Sequence, residues 1–496
     1  MTTKVTIHRL ATGVPGLDTI LGGGVPELSF NLIAGASGCG KTTLAHQMMF
    51  AMATVERPAL YLTVLGEPPL KMLRYQQQFD FFDGSVVGTA VRFVNLAEVT
   101  LTGDFDRVLE CIVAEVEKNP PAFIFVDSFR SVVLSGLPDN NEPNKLQKFV
   151  QQLGMLTVSW QATTFLLGEY LSEIDANPVF AIADGLFWLR QSVQRNSMVR
   201  KIQILKMRGQ PTIPGLHSFR IQRAGIEVFA PVCAPIANAA LAFDERGTTR
   251  MSVGIAALDK MLGGGLPVGY SLMVAGPSGS GKSILAATFL AEGVRIGEAG
   301  VIAAFEQHPH RGRNRMLVDC IEAGEIGVVE ASSPDLSIDE ILVLLLRETR
   351  RLNAKRVVID SLSSFELSLA PTFRDDFRES MLRLITALTR AGVTVLMTSE
   401  LEDRYTDLRF SSNGTAFLTD AIIVQRYIEV DSRLLRMLVV VKVRGSAHSN
   451  QMREFHIDDA GIHIDGMLTG QEGLLGGRPT HKLSVHKVVD THGDIE

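Results

Sequence analysis

Gly35-Ala36-Ser37-Gly38-Cys39-Gly40-Lys41-Thr42 and Gly276-Pro277-Ser278-Gly279-Ser280-Gly281-Lys282-Ser283 repeat one pattern: Gly, four residues, Gly, Lys, then Thr or Ser. A loop of this kind turns backbone amides onto a nucleotide's phosphates, sends its Lys to the β- and γ-phosphates and offers its hydroxyl to Mg²⁺. The candidate nucleotide-binding residues are therefore Gly35, Ser37, Gly38, Cys39, Gly40, Lys41, Thr42 and Thr43 in the first copy, and Gly276, Ser278, Gly279, Ser280, Gly281, Lys282, Ser283 and Ile284 in the second. Two copies in one chain point to a duplicated nucleotide-binding protein.

The surroundings repeat as well. Gly13-Val14-Pro15-Gly16-Leu17-Asp18, running to Gly22-Gly23-Gly24, returns as Gly254-Ile255-Ala256-Ala257-Leu258-Asp259, running to Gly263-Gly264-Gly265, with the same offset of 241 that separates the two lysines. Farther on, Phe219-x-Ile221-x-x-Ala224-Gly225-Ile226 returns as Phe455-x-Ile457-x-x-Ala460-Gly461-Ile462 at an offset of 236. Self-similarity of this length means two whole units rather than two motifs. The expected organisation is a first domain over 1–229, a Pro-containing linker over 230–250, a second domain over 251–466 and a flexible, Gly- and His-containing tail over 467–496.

A chain of 496 residues with 46% apolar content suits two cores better than one. A formal charge of −6 disfavours holding nucleic acid by bulk electrostatics and leaves a local basic groove open. Cys39, Cys111, Cys233 and Cys320 are scattered, which fits a reducing compartment. Within the phosphate loop, Cys39 has two readings: a thiol made oxidisable by nearby amides and Lys41, or a tolerated variable position. The N-terminus has no apolar h-region, and no uninterrupted apolar run approaches the roughly 18 residues needed to span a bilayer. A cytoplasmic protein without a membrane segment is expected.

Short apolar runs alternate with helical patterns in both halves. Leu32-Ile33-Ala34, Leu60 to Val64, Phe123 to Asp127 and Thr163 to Leu167 read as strands, and Leu44 to Ala53 as the helix after the first phosphate loop. Phe377, Met381, Leu384, Ile385 and Leu388 keep helical spacing before the β-like run Val393 to Met397. Continuous apolar strands between amphipathic helices imply an α/β fold with a mainly parallel sheet covered on both faces in each half.

Downstream of each phosphate loop a hydrophobic run ends in Asp-Ser, at Asp127-Ser128 and Asp360-Ser361. A carboxylate at such a strand end can hold Mg²⁺ through a water, so Thr42 with Asp127 and Ser283 with Asp360 are the candidate metal residues. Lys41 and Lys282 are candidate catalytic residues, as is a glutamate that orients or deprotonates the attacking water: Glu306 in Phe305-Glu306-Gln307, and Glu67 in Leu65-Gly66-Glu67. Each half also carries Lys-x-Arg-Gly, giving Lys206 and Arg208, then Lys442 and Arg444, at an offset of 236. Cations fixed on a β-hairpin suit stabilisation of γ-phosphate charge in a neighbouring subunit. The basic run His308 to Arg315 fits either a nucleic-acid or acidic-partner contact, or a solvated helix start.

Gly-x-x-x-Leu-Asp, the triple-glycine turn, the phosphate loop, Asp-Ser and Lys-x-Arg-Gly, each present twice between Gly13 and Asp465, resemble the double-domain KaiC family of circadian-clock ATPases, within the RecA-like group. The resemblance implies two tandem RecA-like domains, ATP and Mg²⁺ as cofactors, a homohexameric ring with ATP between subunits in two tiers, and protein partners that the chain itself does not identify. It also implies that Lys206, Arg208, Lys442 and Arg444 act on the neighbour's nucleotide. Clock members transfer phosphate to a Ser-Thr pair before an Ile-Thr-Asp segment; here Ala416-Phe417 stands before Leu418-Thr419-Asp420, leaving Ser411, Ser412, Thr415 and Thr419 as nearby hydroxyls. The family's adjacent glutamates are reduced to Glu306-Gln307 in the second half and disrupted at Leu65-Gly66-Glu67 in the first. The expected function is a slow, conformation-signalling ring ATPase whose second site is the better equipped. The alternatives are a DNA-dependent RecA/RadA-like ATPase and a nucleotide-gated scaffold with little catalysis.

Overall fold

A computed structural model describes residues 6–63, 69–100, 104–128, 143–170, 178–194, 197–231, 249–305, 315–330, 336–374, 377–401, 418–430, 432–459, 461–468, 471–472 and 480–481. The chain divides into two compact units, Met1–Pro231 and Val232–Glu496.

The first unit is built on nine strands: β1 (Phe30–Gly35), β2 (Ala59–Thr63), β3 (Val91–Asn95), β4 (Phe123–Asp127), β5 (Thr163–Glu169), β6 (Gly185–Gln194), β7 (Ser197–Met207), β8 (His217–Gln222) and β9 (Gly225–Phe229). They lie in the order 9-8-7-6-1-5-4-2-3. From β6 to β3 all pairings are parallel, and β7, β8 and β9 add on as an antiparallel extension. The second unit repeats the plan with β10 (Ser271–Gly276), β11 (Gly300–Ala304), β12 (Ile326–Glu330), β13 (Arg356–Asp360), β14 (Thr394–Glu400), β15 (Ala421–Val430), β16 (Arg433–Val443), β17 (Arg453–Asp458) and β18 (Gly461–Met467). Their order is 18-17-16-15-10-14-13-11-12, which is the first order with nine added to every label. The expected mainly parallel sheet is therefore present in both units.

Alternating side chains fill two cores per sheet because successive residues of a strand point to opposite faces. In the first unit Ile33, Tyr61, Phe125, Phe165 and Phe187 pack on one face with Leu44, Met48 and Met49 of α1 (Lys41–Met52). Their neighbours Leu32, Leu60, Ile124, Leu166 and Trp188 pack on the other with α2 (Phe105–Lys118) and the described side chains of α3 (Pro143–Ser159). A short helix, α4 (Pro178–Ile182), precedes β6 in the first unit, and the second unit divides in the same way, with α5 (Lys282–Arg295) on one face, and α6 (Ile338–Leu352) and α7 (Phe377–Arg390) on the other. Both faces being covered, the parallel strands read as unbroken apolar runs. No helix among the described residues is long and apolar enough to cross a membrane. Within the segment expected to be a flexible tail, Gln471–Glu472 pairs with Thr480–His481 as a two-residue antiparallel ladder.

The repeated Gly-x-x-x-Leu-Asp segment has a structural explanation. Leu17 and Leu258 are buried anchors, and the following carboxylates fold the chain back on itself. Asp18 accepts hydrogen bonds from Thr12 N (3.0 Å) and Thr12 Oγ1 (2.7 Å), while Asp259 accepts from Val253 N (2.8 Å) and Ser252 Oγ (2.6 Å). Asp259→Ala leaves that backbone amide without its acceptor and is expected to cost about 1.5–3 kcal/mol, the range for hydrogen bonds to charged groups. A urea titration of the full chain, followed by a probe in the second unit, should show a lower midpoint with an unchanged slope.

Candidate functional site

Each phosphate loop leaves the C-terminal end of the central strand and enters a buried helix. The first joins β1 to α1 and the second joins β10 to α5. The residue before each helix, Gly40 or Gly281, has φ of 105° or 104°, in the left-handed region open to glycine. Neither position has room for more. A Cβ at Gly40 would lie 2.8 Å from Ile221 Cδ1, and one at Gly281 would lie 2.6 Å from Ile457 Cδ1. The two repeated motifs thus meet: the Phe-x-Ile segment of the antiparallel extension packs beneath the phosphate-loop glycine.

The lysines curl back over their loops. Lys41 Nζ donates to Gly35 O (3.0 Å) and Ala36 O (2.8 Å), and Lys282 Nζ donates to Gly276 O (2.9 Å) and Pro277 O (2.8 Å). Ser37, Gly38, Ser278 and Gly279 are exposed at the loop crests, with Thr43 and Ile284 in the first helical turn. In the second unit a cavity of about 260 Å³ opens over the loop, lined by Ser278, Gly279, Lys282, Ser283, Asp360 and Glu400 among others. Cys39 is fully buried, and burial pushes its thiol up against the smaller opposing pull of Lys41. That environment favours the variable-position reading over the oxidisable one. Its counterpart Ser280 donates to Gln425 Oε1 at 3.2 Å.

The Asp-Ser pairs end β4 and β13, and both peptide bonds between Asp and Ser are cis. Thr42 Oγ1 and Tyr61 OH donate to the same oxygen, Asp127 Oδ2, at 2.9 and 2.7 Å. Burial raises the Asp127 pKa, while the bonds from Tyr61 and Thr42 and the charge of Lys41 pull it down. Tyr61 is completely buried; burial, then the adjacent carboxylate, hold its hydroxyl protonated well above the usual range. Its ring is boxed by His46 at 4.6 Å, Phe93 at 5.4 Å and Phe125 at 6.2 Å between centroids. His46 is itself buried, which pushes its pKa down to about 4 and leaves the imidazole neutral at pH 7. In the second unit Asp360 Oδ1 instead accepts from Thr398 Oγ1 at 2.5 Å.

The Lys-x-Arg-Gly cations sit elsewhere. Met207 pairs with Gly185, which pairs with Asn31 at the start of β1, and Val443 pairs with Ala421, which pairs with Leu272 at the start of β10. Four residues of strand, about 13 Å, then separate that end of the sheet from the unit's own phosphate loop. The cations lie where β7 and β16 leave the sheet, at the start of the connections that join them to their antiparallel neighbours β8 and β17. Lys206 Nζ donates to Ala181 O (3.0 Å) and Phe180 O (3.3 Å), and Arg208 pairs with Asp184 (3.0 Å). Lys442 Nζ donates to Thr419 O (2.5 Å), and Arg444 pairs with Asp420 (3.4 Å). Burial, then the neighbouring arginine, lowers the pKa of both lysines.

Glu67 and Glu306 lie outside the described residues, as do Leu65-Gly66, Gln307, the basic positions 308–314, Cys233 and the hydroxyls of Ser411, Ser412 and Thr415. Phe305, just before Glu306, donates its N–H to Asp360 O at 3.3 Å and stacks on Phe365. Three polar side chains escaped sequence reasoning: Tyr61, Thr398 and the cavity-lining Glu400. A signal for the last existed, because Thr163 to Glu169 and Thr394 to Glu400 share a spacing and end strands registered on Gly35 and Gly276.

The family model for the KaiC ATPase matches residues 10–232 and again residues 251–468. A circadian clock oscillator protein KaiC from Picosynechococcus sp. is 26% identical over 489 residues, covering 96% of this chain and 93% of that protein. A KaiC from Parathermosynechococcus lividus is 26% identical over 489 residues, with 96% and 88% covered. KaiC 1 from Synechocystis sp. is 25% identical over 494 residues, with 97% and 93% covered. Two consecutive matches span most of each unit, and the chain belongs to the KaiC family of ATPases.

Proposed function

We propose that this chain is a cytoplasmic, homohexameric ring ATPase that binds ATP with Mg²⁺ at both phosphate loops, turns it over slowly and mainly at the second, and passes the resulting ring conformation to a protein partner. The functional domains are taken as 1–229 and 251–466, with 230–250 as linker and 467–496 as tail. The observation that carries the reading is the position of Lys206, Arg208, Lys442 and Arg444 at the sheet end away from their own phosphate loops. Cations so placed serve a neighbour's nucleotide, which is what a ring supplies.

The donor sets fit Mg²⁺. Thr42 Oγ1 and Asp127 Oδ2 approach to 2.9 Å, and Ser283 and Asp360 line one cavity. One hydroxyl, with one carboxylate acting through a water, is a hard-oxygen set that matches an ion taking its other ligands from phosphates and water. When bound there, Mg²⁺ neutralises charge on the β- and γ-phosphate oxygens. Lys282, released from Gly276 O and Pro277 O, is the side chain to bind those oxygens. Glu306 is assigned the attacking water, and Arg444 of a neighbouring subunit the charge that develops on the transferred group. Glu67 follows Leu65-Gly66 instead of a strand-end glutamate pair, so the first site is assigned slower chemistry. Residual autokinase activity is secondary: Ala416-Phe417 offers no hydroxyl, and Thr419 is fully buried.

Phosphate release by the separate lysine variants tests the division of labour. Lys282→Ala is expected to lower turnover at least about tenfold, while Lys41→Ala retains most of it; equal losses would overturn the assignment. Arg444→Ala should also lower turnover at least about tenfold. Mixing Arg444→Ala with Lys282→Ala subunits should restore activity above either alone, since mixed rings contain interfaces with both residues intact. No complementation in co-assembled rings would place Arg444 outside the neighbour's site. Mass spectrometry of the same reactions reports any phosphate on Ser411, Ser412, Thr415 or Thr419, and added single-stranded DNA tests the motor alternative.

A further inference from the structure

We propose that the Tyr61 hydroxyl is the positioning group for the Mg²⁺-side carboxylate of the first nucleotide site, a task that Thr398 performs from the opposite neighbouring strand in the second. The inference rests on the reading above that Asp127 and Asp360 serve Mg²⁺ and ATP. In each sheet the Asp-bearing strand lies between two others: β4 between β2 and β5, and β13 between β11 and β14. Tyr61 comes from β2 and reaches Asp127 Oδ2 at 2.7 Å; Thr398 comes from β14 and reaches Asp360 Oδ1 at 2.5 Å. The equivalent positions are apolar in the other unit. Tyr61 pairs with Phe125 as Ile302 pairs with Val358, and Thr398 pairs with Val274 as Leu167 pairs with Ile33. Each unit thus has one strand-borne hydroxyl on its carboxylate, and the two units take it from different sides.

A phenol boxed by His46, Phe93 and Phe125 has one orientation available, so its O–H is a fixed donor rather than a mobile one. Asp127 Oδ2 is shared between that donor and Thr42 Oγ1, whose hydroxyl is itself a proposed metal ligand. With Tyr61 in place the carboxylate keeps its orientation when Thr42 turns to the ion. Without Tyr61 it loses the partner that does not depend on the ligand. Groups that orient a ligand in this way typically change metal affinity about 10–100-fold when removed.

The experiment uses the full chain with Lys282→Ala to confine tight ATP binding to the first site, and titrates MgCl₂ against binding of a fluorescent ATP analogue. Tyr61→Phe keeps the ring and removes only the hydroxyl. The half-saturating Mg²⁺ concentration is expected to rise about tenfold, while analogue binding in EDTA stays within about twofold of the parent. Tyr61→Phe with Leu167→Thr, which supplies the hydroxyl from the strand that carries it in the second unit, should recover part of the loss. In a Lys41→Ala background Thr398→Val should shift Mg²⁺ dependence and Tyr61→Phe should not. An unchanged Mg²⁺ midpoint in Tyr61→Phe overturns the proposal, as does a loss of EDTA-insensitive binding that Leu167→Thr fails to restore, which would mark Tyr61 as a packing residue. If the Lys282→Ala parent shows no Mg²⁺-dependent ATP binding, the assignment of the first site falls and this proposal with it. A normal parent with an unshifted Tyr61→Phe variant removes this proposal alone.

Discussion

The phosphate-loop glycine that opens each central helix is wedged against an isoleucine from the antiparallel extension, and that contact sets the arrangement of everything around it. Gly40 and Gly281 must turn the backbone through the left-handed region while Ile221 or Ile457 fills the space a side chain would take. The loop amides are thereby held by packing from outside the parallel core. The same extension also carries Lys-x-Arg-Gly where β7 and β16 leave the sheet. One added piece of sheet therefore supports the unit's own loop at one end and presents cations at the other, which ties loop geometry mechanically to whatever those cations contact.

Burial gives Asp127 its sensitivity. Asp127 is 6% exposed, so its charge depends on hydrogen-bond donors more than on water. Thr42, Tyr61 and Lys41 together oppose the penalty, and each holds the carboxylate differently: one hydroxyl on the phosphate-loop helix, one phenol from the core, one cation from the loop. A low-dielectric site of this kind magnifies small rearrangements of its donors. In the second unit the half-buried Asp360 accepts a smaller hydroxyl, that of Thr398.

The fold was legible in the sequence because its determinants are local and repeated. Apolar strands, loop glycines and the Asp-Ser ends follow from periodicity and spacing, and repeated motifs at offsets of 241 and 236 align the two halves. The strand order was not legible, since nothing in Phe219-x-Ile221 indicates that it lies under Gly40; that is a tertiary contact across 181 residues. Tyr61 was hidden for a related reason: between Leu60 and Leu62 it reads as one more large core side chain, and only the sheet order brings its hydroxyl to Asp127. Lys206 and Arg208 stand out as part of a repeated motif, but their distance from the local loop is fixed only by the register of β6 against β1. Thr398 stayed invisible because threonine in a strand is ordinary.

The two carboxylate supports come from non-equivalent strands, and that limits how the halves of this gene can exchange sequence. Gene conversion carrying the β2 segment into β11 would put tyrosine in place of Ile302 and give Asp360 two strand hydroxyls, a redundant arrangement. Conversion in the opposite direction would put isoleucine in place of Tyr61, and because Leu167 offers nothing, Asp127 would keep only Thr42 among its hydroxyl donors. The favourable direction reverses for β5 and β14, where carrying Leu167 into the place of Thr398 would remove the strand hydroxyl from Asp360, so each segment has its own one-way constraint.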